Sequence, residues 1–284
     1  MTVTTGPATT NEATTDAATG TRRPRRTTRG FIRRHWLSVL SPLVALALWE
    51  FASRSGMVSP VLFPPPSAIA VHAVEVLTSE PEFGGHIWAT VRRLLLTAGI
   101  AAVAGILVGT LITVTRFVGT GVENLLAFIF PVPSLLFLPM ITFLVGRTET
   151  ALLLTAAVTP VLIMVNATVF GMRQIDRSLV EAGRHYGARG TRFFSGVLLP
   201  GAMAAIVPGF RVALGFSLIT VVALEMVMSE TGLGAVLWLS WRILQVQDMY
   251  VALLVVAILG LLVTRGLNAV MDRLAPWQAT GNTP

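Results

Sequence analysis

Residues 173–200 read RQIDRSLVEAGRHYGARGTRFFSGVLLP, a polar interval held between two long apolar runs, 150–172 and 207–229. Its first part contains Ser178-Leu179-Val180-Glu181, the Ser-x-x-Glu spacing of a capping box, in which Ser178 accepts from the Glu181 amide and the Glu181 carboxylate returns to the Ser178 amide. That predicts a short helix over 179–186, about two turns and roughly 12 Å long. Gly187 follows where a left-handed C-terminal cap belongs. Thr191 begins a second short helix over 192–199, which Pro200 is expected to stop or kink. Two helices joined by a glycine elbow, emerging from apolar flanks, form a rigid peg. The small residues Ala182 and Gly183 would let another protein's backbone come close. The plainer reading of the same residues is a solvated loop with ordinary caps.

The apolar flanks extend through most of the chain. Of its 284 residues 54% are hydrophobic and only 12% charged, and the mean hydropathy is +0.74. Soluble domains carry about a quarter charged residues, so the composition opposes a soluble enzyme. A helix that crosses a bilayer needs about 20 mostly apolar residues. Six runs approach that length: 37–52, with Pro42; 94–114; 124–146; 150–172; 207–229; and 249–270. The expected architecture is therefore all-α, a polytopic membrane domain over 35–274 with six transmembrane helices. Residues 1–34, rich in Thr, Ala, Pro and Arg, read as a disordered basic tail, and 275–284 as a short C-terminal tail. Pro64-Pro65-Pro66-Ser67 introduces a helix over 68–77 on the outer surface, capped by Ser67. Its apolar face would be Ile69, Ala73, Val76 and Leu77, opposite His72 and Glu75.

Charge placement orients this frame. All 21 basic residues are Arg. With the N-terminus inside and six crossings, sixteen lie on inner segments and five on outer ones, which puts both termini in the cytoplasm. Arg92 and Arg93, at the outer start of the second run, fit this least well. The basic tail reads as a topology anchor, not a nucleic-acid arm. Without Lys the chain has no Walker-type phosphate loop and no Schiff base; without Cys it has no thiol chemistry and no disulfide. His35, His72, His86 and His185 are scattered, with no His-Glu-x-x-His and no Gly-x-Ser-x-Gly. No catalytic residue, metal site or cofactor is expected.

Candidate pathway residues come from what a bilayer tolerates poorly. Pro131, Pro133 and Pro139 in the third run, and Pro160 in the fourth, free carbonyls that need protein or a polar cavity. Glu225 is an acid late in the fifth run, with Asn166, Ser217 and Thr220 as milder polar groups. Glu225 reads either as a gate or structural residue, or as an interfacial residue near the outer surface. Glu50 and Arg211 read as snorkelling side chains.

The string Glu181-Ala182-Gly183, three residues, Gly187, nine residues, then Val197-Leu198-Leu199-Pro200 resembles the EAA loop of ABC-importer permeases, Glu-Ala-Ala, three residues, Gly, nine residues, Ile-x-Leu-Pro. The spacing is kept throughout; Gly183 replaces an Ala and Val197 an Ile. Phe130-Pro131-Val132-Pro133, Leu138-Pro139 and Thr231-Gly232-Leu233-Gly234 are similar to the sulfonate, taurine and nitrate branch. The resemblance implies a type I importer fold in a bacterial inner membrane, working as a homodimer. It also implies two cytoplasmic ATPase subunits and an external substrate-binding protein. The coupling role would fall to Glu181, Ala182, Gly183, Arg184, Tyr186, Gly187, Leu199 and Pro200. A self-contained secondary carrier would call for paired intramembrane charges or inverted repeats, neither of which stands out in the sequence, and an intramembrane enzyme lacks its signatures.

Overall fold

A computed structural model describes residues 28–274, all of it helix and connecting turns among the described residues. Most of the expected N-terminal tail and the C-terminal tail lie outside the described residues. The first helix, α1 (Thr28–Arg54), begins inside the stretch expected to be tail. It crosses from one compact unit, residues 1–48, into a second, residues 49–284. Within the first unit the described residues are the opening turns of α1.

The chain continues as α2 (Pro66–Ser79), α3 (Pro81–Val114), α4 (Arg116–Ile129), a 3-10 turn (Ser134–Phe137) and α5 (Leu138–Val145). Then come α6 (Glu149–Arg173), α7 (Arg177–His185), α8 (Gly190–Phe193), a π-helical turn (Phe194–Leu198), α9 (Leu199–Met228), α10 (Leu233–Arg242) and α11 (Val246–Leu274). Among the described residues four helical stretches are long and apolar enough to cross a membrane: Pro81–Val114, Glu149–Arg173, Gly190–Met228 and Val246–Leu267. The expected count of six is corrected in one place, the third run. The run 124–146 is not one helix; Pro131 and Pro133 cannot donate to the helical ladder, so α4 ends at Ile129 and helix resumes only at Leu138. The N-terminal run 37–52 lies within α1, one helix of 27 residues with Pro42 inside it.

The core is α3, α6 and α9 packed together. Helices in lipid gain little from hydrophobic exclusion, so their contact surfaces favour small residues that let backbones approach. At Gly105 an added Cβ would stand 2.2 Å from the Met164 Cβ, and at Gly209 it would stand 2.2 Å from the Ala167 Cβ. Pro160 lies inside α6, buried, and has no N–H for the Ala156 carbonyl four residues back. That carbonyl accepts instead from the Thr220 hydroxyl of α9, 3.0 Å away. The opposite helix thus supplies the bond that proline removed, as a water-free interior requires.

The short helix α2 packs into the second unit and does not lie free on a surface. Ile69, Ala73 and Val76 are buried in a cluster with Phe83, Leu233 and Val251, whereas Leu77 is exposed. Its N-terminus is not capped by Ser67. The Glu50 carboxylate accepts from the Ser67 amide at 3.0 Å and from its hydroxyl at 2.7 Å, while Arg54 donates to Glu50 at 2.5 Å. Glu50 is therefore a cap supplied from another helix, not a snorkelling side chain. On the other side His72 Nε2 lies 2.6 Å from Asp248 Oδ1 at the start of α11, with Glu75 3.6 Å from Nδ1.

Asp248, foremost through its hydrogen bond, raises the His72 pKa above its ordinary value of 6.5. A raised folded value favours the protonated, folded protein. This contribution is complete below about pH 6.5, the unfolded value, and disappears as the pH climbs through the raised folded value. Comparing thermal midpoints of the wild type and His72→Gln from about pH 5.5 to about pH 8.5 should show a wild-type advantage that shrinks with rising pH. An advantage constant across that range would mean that the pair adds packing and no proton linkage.

Candidate coupling site

Residues 173–200 fold as a peg, with a different cap from the one the spacing suggested. The N-cap of α7 is Asp176, whose carboxylate accepts from the Ser178 amide at 2.9 Å. This bond, followed by one from the Ser178 hydroxyl, lowers the Asp176 pKa. Ser178 is consequently the second residue of the helix, too far along to cap it. Asp two residues ahead of Ser is an equally good capping residue and was the competing signal in the sequence. At the other end the glycine elbow forms as expected. Gly187 has φ +77°, the Gly187 amide donates to the Arg184 carbonyl, and the Ala188 amide donates to the Gly183 carbonyl at 3.1 Å. Arg184 and His185 occupy the last turn, where the helix dipole favours positive charge.

The two small residues of the loop act differently from one another. Gly183 faces its own chain: an added Cβ would lie 2.8 Å from Val197 Cγ2 and 3.3 Å from the Phe193 ring. Arg184 sets its guanidinium over the same ring, 5.8 Å from the centroid, a distance suited to cation–π attraction. Together they seat α7 on the turn that follows the elbow. Ala182 is exposed, as are Leu179, Glu181 and Tyr186, the last at 93%. The expected backbone approach by another protein therefore has Ala182, not Gly183, to use.

Pro200 neither stops nor breaks the following helix. Helix runs without interruption from Gly190 to Met228, 39 residues or roughly 58 Å. Proline at 200 cannot donate to the Gly196 carbonyl, and the turn just before it widens to a π-helical one over Phe194–Leu198. Leu199 and Pro200 thus open the α9 portion of one long rod whose near end carries the peg.

The far end of the rod is tied by a buried network. Glu225 has no exposed surface and lies 2.8 Å from Arg93, which is itself buried. The Thr90 hydroxyl donates to both Glu225 oxygens, at 3.0 and 2.9 Å, and accepts from the Leu233 amide. The Gly234 amide donates to Glu225 at 3.0 Å, and Arg93 also donates to the Thr231 carbonyl and hydroxyl. Glu149, at the start of α6, receives both Arg92 and Arg93. Gly232 takes φ +106°, and an added Cβ there would stand 2.3 Å from the Glu225 carboxyl carbon, so only glycine fits. Thr231-Gly232-Leu233-Gly234 is the collar of this carboxylate.

These contacts place three features. Glu225 is buried against α3 and the 229–234 turn. Arg92 and Arg93 are paired, both with Glu149 and Arg93 also with Glu225. The Arg93–Glu225 pair is a buried charge pair that did not stand out in the sequence. The remaining pathway candidates separate by exposure. Ser217 and Thr220 are buried, with their hydroxyls bonded to helix carbonyls. Asn166 is exposed on α6, and Pro131 and Pro133 are exposed at the break after α4.

Long apolar helices around a small-residue core, with a peg at one end and a buried collar at the other, are the architecture of a polytopic membrane protein. The sequence model of binding-protein-dependent transport system inner membrane components matches residues 101–279, and the chain belongs to that family. It is 27% identical over 247 residues to the taurine transport system permease protein of Escherichia coli (strain K12), covering 85% of this chain and 89% of that one. It is 26% identical over 182 residues to the nitrate import permease protein of Synechocystis, covering 64% and 66%. Its fold is similar to that of the inward-facing MetNI methionine ABC transporter, with TM-score 0.59 and 21% identity over 71% of this chain and 99% of that one. The chain is thus a multi-pass inner-membrane permease with the type I importer fold, of the branch that holds the taurine and nitrate relatives.

Removing one member of a buried ion pair strands the other and costs about 3–5 kcal/mol, whereas replacing both by apolar residues is close to neutral. Glu225→Leu and Arg93→Met should each lower the thermal midpoint sharply, and the double variant should recover most of the loss. Additive losses in the double variant would show that the collar, not the pair, carries the stability.

Proposed function

We propose that this chain is the translocating subunit of an ATP-driven importer, working as a homodimer with both termini in the cytoplasm. Two separate ATPase subunits dock on the 173–200 loops, and an external binding protein hands over the solute. The observation that carries this reading is the exposed helix Arg177–His185 seated directly on the 39-residue rod. Its exposed groups, Glu181, Ala182 and Tyr186, are available to a partner. The contacts of Gly183 and Arg184 with Phe193 and Val197 give displacement of the peg a direct mechanical route into the rod. A body that moves as one piece is a suitable transmitter, because two sites couple only through an element whose arrangement both of them bias. Closure of the ATPases would draw the two pegs together and rock the rods from inward-open to outward-open.

The solute is a small sulfonate, taurine, nitrate or similar small organic molecule, a reading supported by the relatives and by the Phe130–Pro133 pattern. The exposed break at Pro131 and Pro133 and the exposed Asn166 are the best placed of the pathway candidates. Ser217, Thr220 and Glu225 act by holding helices together. Nucleic acid has no part in this reading; the lipid bilayer is the surrounding medium.

Co-expression with an ATPase partner, purification in detergent and determination of stoichiometry test the assembly. A two-plus-two complex is expected, and Glu181→Arg should dissociate it. A chain that purifies alone and transports in liposomes without ATP would overturn the reading in favour of a secondary carrier. Gly187→Val is the finer test of coupling. No atom lies within 4 Å of the added Cβ position, so the substitution acts only by straining the left-handed elbow, by about 1–2 kcal/mol. Uptake should fall while the complex assembles and hydrolyses ATP; unchanged uptake would remove the elbow from the mechanism.

A further inference from the structure

An open cavity of about 890 Å³ lies between the end of α3 and the peg. Its walls include Arg184 and Arg189 from the loop, Thr110 and Val114 from α3, and Phe194 and Leu198 from the π-helical turn. Neither arginine has a carboxylate within 4 Å among the described residues; Arg184 rests on the Phe193 ring, and Asp176 is occupied in capping. Two guanidinium groups without a counter-charge therefore border one hollow. The Thr110 hydroxyl is spent on the Ile106 carbonyl, so anion binding here rests on the arginines.

The hollow continues an apolar track. Val103, Leu107, Leu111 and Val114 on α3 are each more than 60% exposed, at 63, 62, 61 and 63%. Their spacing of four, four and three places them on one face of the helix. The track is roughly 16 Å long, close to half of a ~30 Å hydrocarbon core. It ends at Val114, which also lines the hollow. A hydrophobic stripe one leaflet deep thus terminates at a doubly cationic cup.

The geometry points to a binding site for an anionic phospholipid, its phosphate between Arg184 and Arg189 and an acyl chain along the Val103–Val114 stripe. Basic pockets on the cytoplasmic side of membrane helices take anionic headgroups, and guanidinium matches phosphate in shape and charge. Free phosphate would use the same arginines but not the stripe. The site rests on the cytoplasmic placement of the loop proposed above, and it would couple the charge of the inner leaflet to the seating of the peg.

The test is lipid retention by the full chain in detergent, read by native mass spectrometry. Dioleoylphosphatidylglycerol should be retained about tenfold better than dioleoylphosphatidylcholine. Arg189→Gln and Arg184→Gln/Arg189→Gln should remove that preference. Leu111→Ser should lower retention of phosphatidylglycerol with both arginines in place. Arg147→Gln, remote from the cavity, should change nothing. Equal retention of the two lipids, or wild-type retention in the arginine variants, overturns the site. Displacement by millimolar inorganic phosphate alone assigns it to a free anion and overturns the lipid. Because the chain has no cysteine of its own, Thr191→Cys can be labelled by a membrane-impermeant reagent in whole cells. Labelling from outside would overturn the topology on which the site rests; protection there, with lost selectivity in the arginine variants, is the expected result.

Discussion

The Arg93–Glu225 pair is the interaction around which the rest of this structure is arranged. A buried carboxylate is tolerable only with an opposite charge and hydrogen bonds to its remaining lone pairs. Here those come from α3 through Thr90 and Arg93, and from the turn before α10 through the Gly234 amide. Arg93 in turn reaches Thr231 and Glu149. One charged group thereby fixes the mutual register of α3, α6, α9 and the 229–234 turn. The same requirement operates deeper in the core, where Thr220 satisfies the carbonyl freed by Pro160.

The far end of the rod is held by this network, and the near end is held differently. The peg is bound to its own helix by side-chain packing against Phe193 and Val197, while its outer side chains have no partner among the described residues. A π-helical turn separates it from the stretch held by the core. Widened turns of this kind are commonly found at functional sites. The rod is thus regular α-helix where the core holds it and widened just beside the peg.

Much of the fold was legible because lipid makes sequence patterns simple. The runs 94–114, 150–172, 207–229 and 249–270 all became long helices, and the Gly187 elbow followed from the left-handed cap that glycine permits. Local competition was harder to read. Ser178 and Asp176 are both good caps, and nothing in their spacing decides between them. Pro131 and Pro133 ended a helix whereas Pro160 and Pro200 did not, since the difference lies in whether a neighbour replaces the missing bond or the turn can widen. Gly183 is small enough to admit a partner, but Val197, fourteen residues further on, occupies its open side.

By itself the sequence determined that the chain is an all-helical membrane protein, which segments are apolar enough to enter lipid, and where the polar peg interrupts them. Those properties follow from composition and local backbone preference, which act within a few turns of helix. Only the tertiary structure decided that Arg93, read as an outer charge, belongs to Glu225, 132 positions away, and that Glu50 caps a helix other than its own. Such pairings depend on which faces of distant helices meet. Burial makes a partner obligatory for each charge, but it is the packing of α3 against α9 that determines which partner that is.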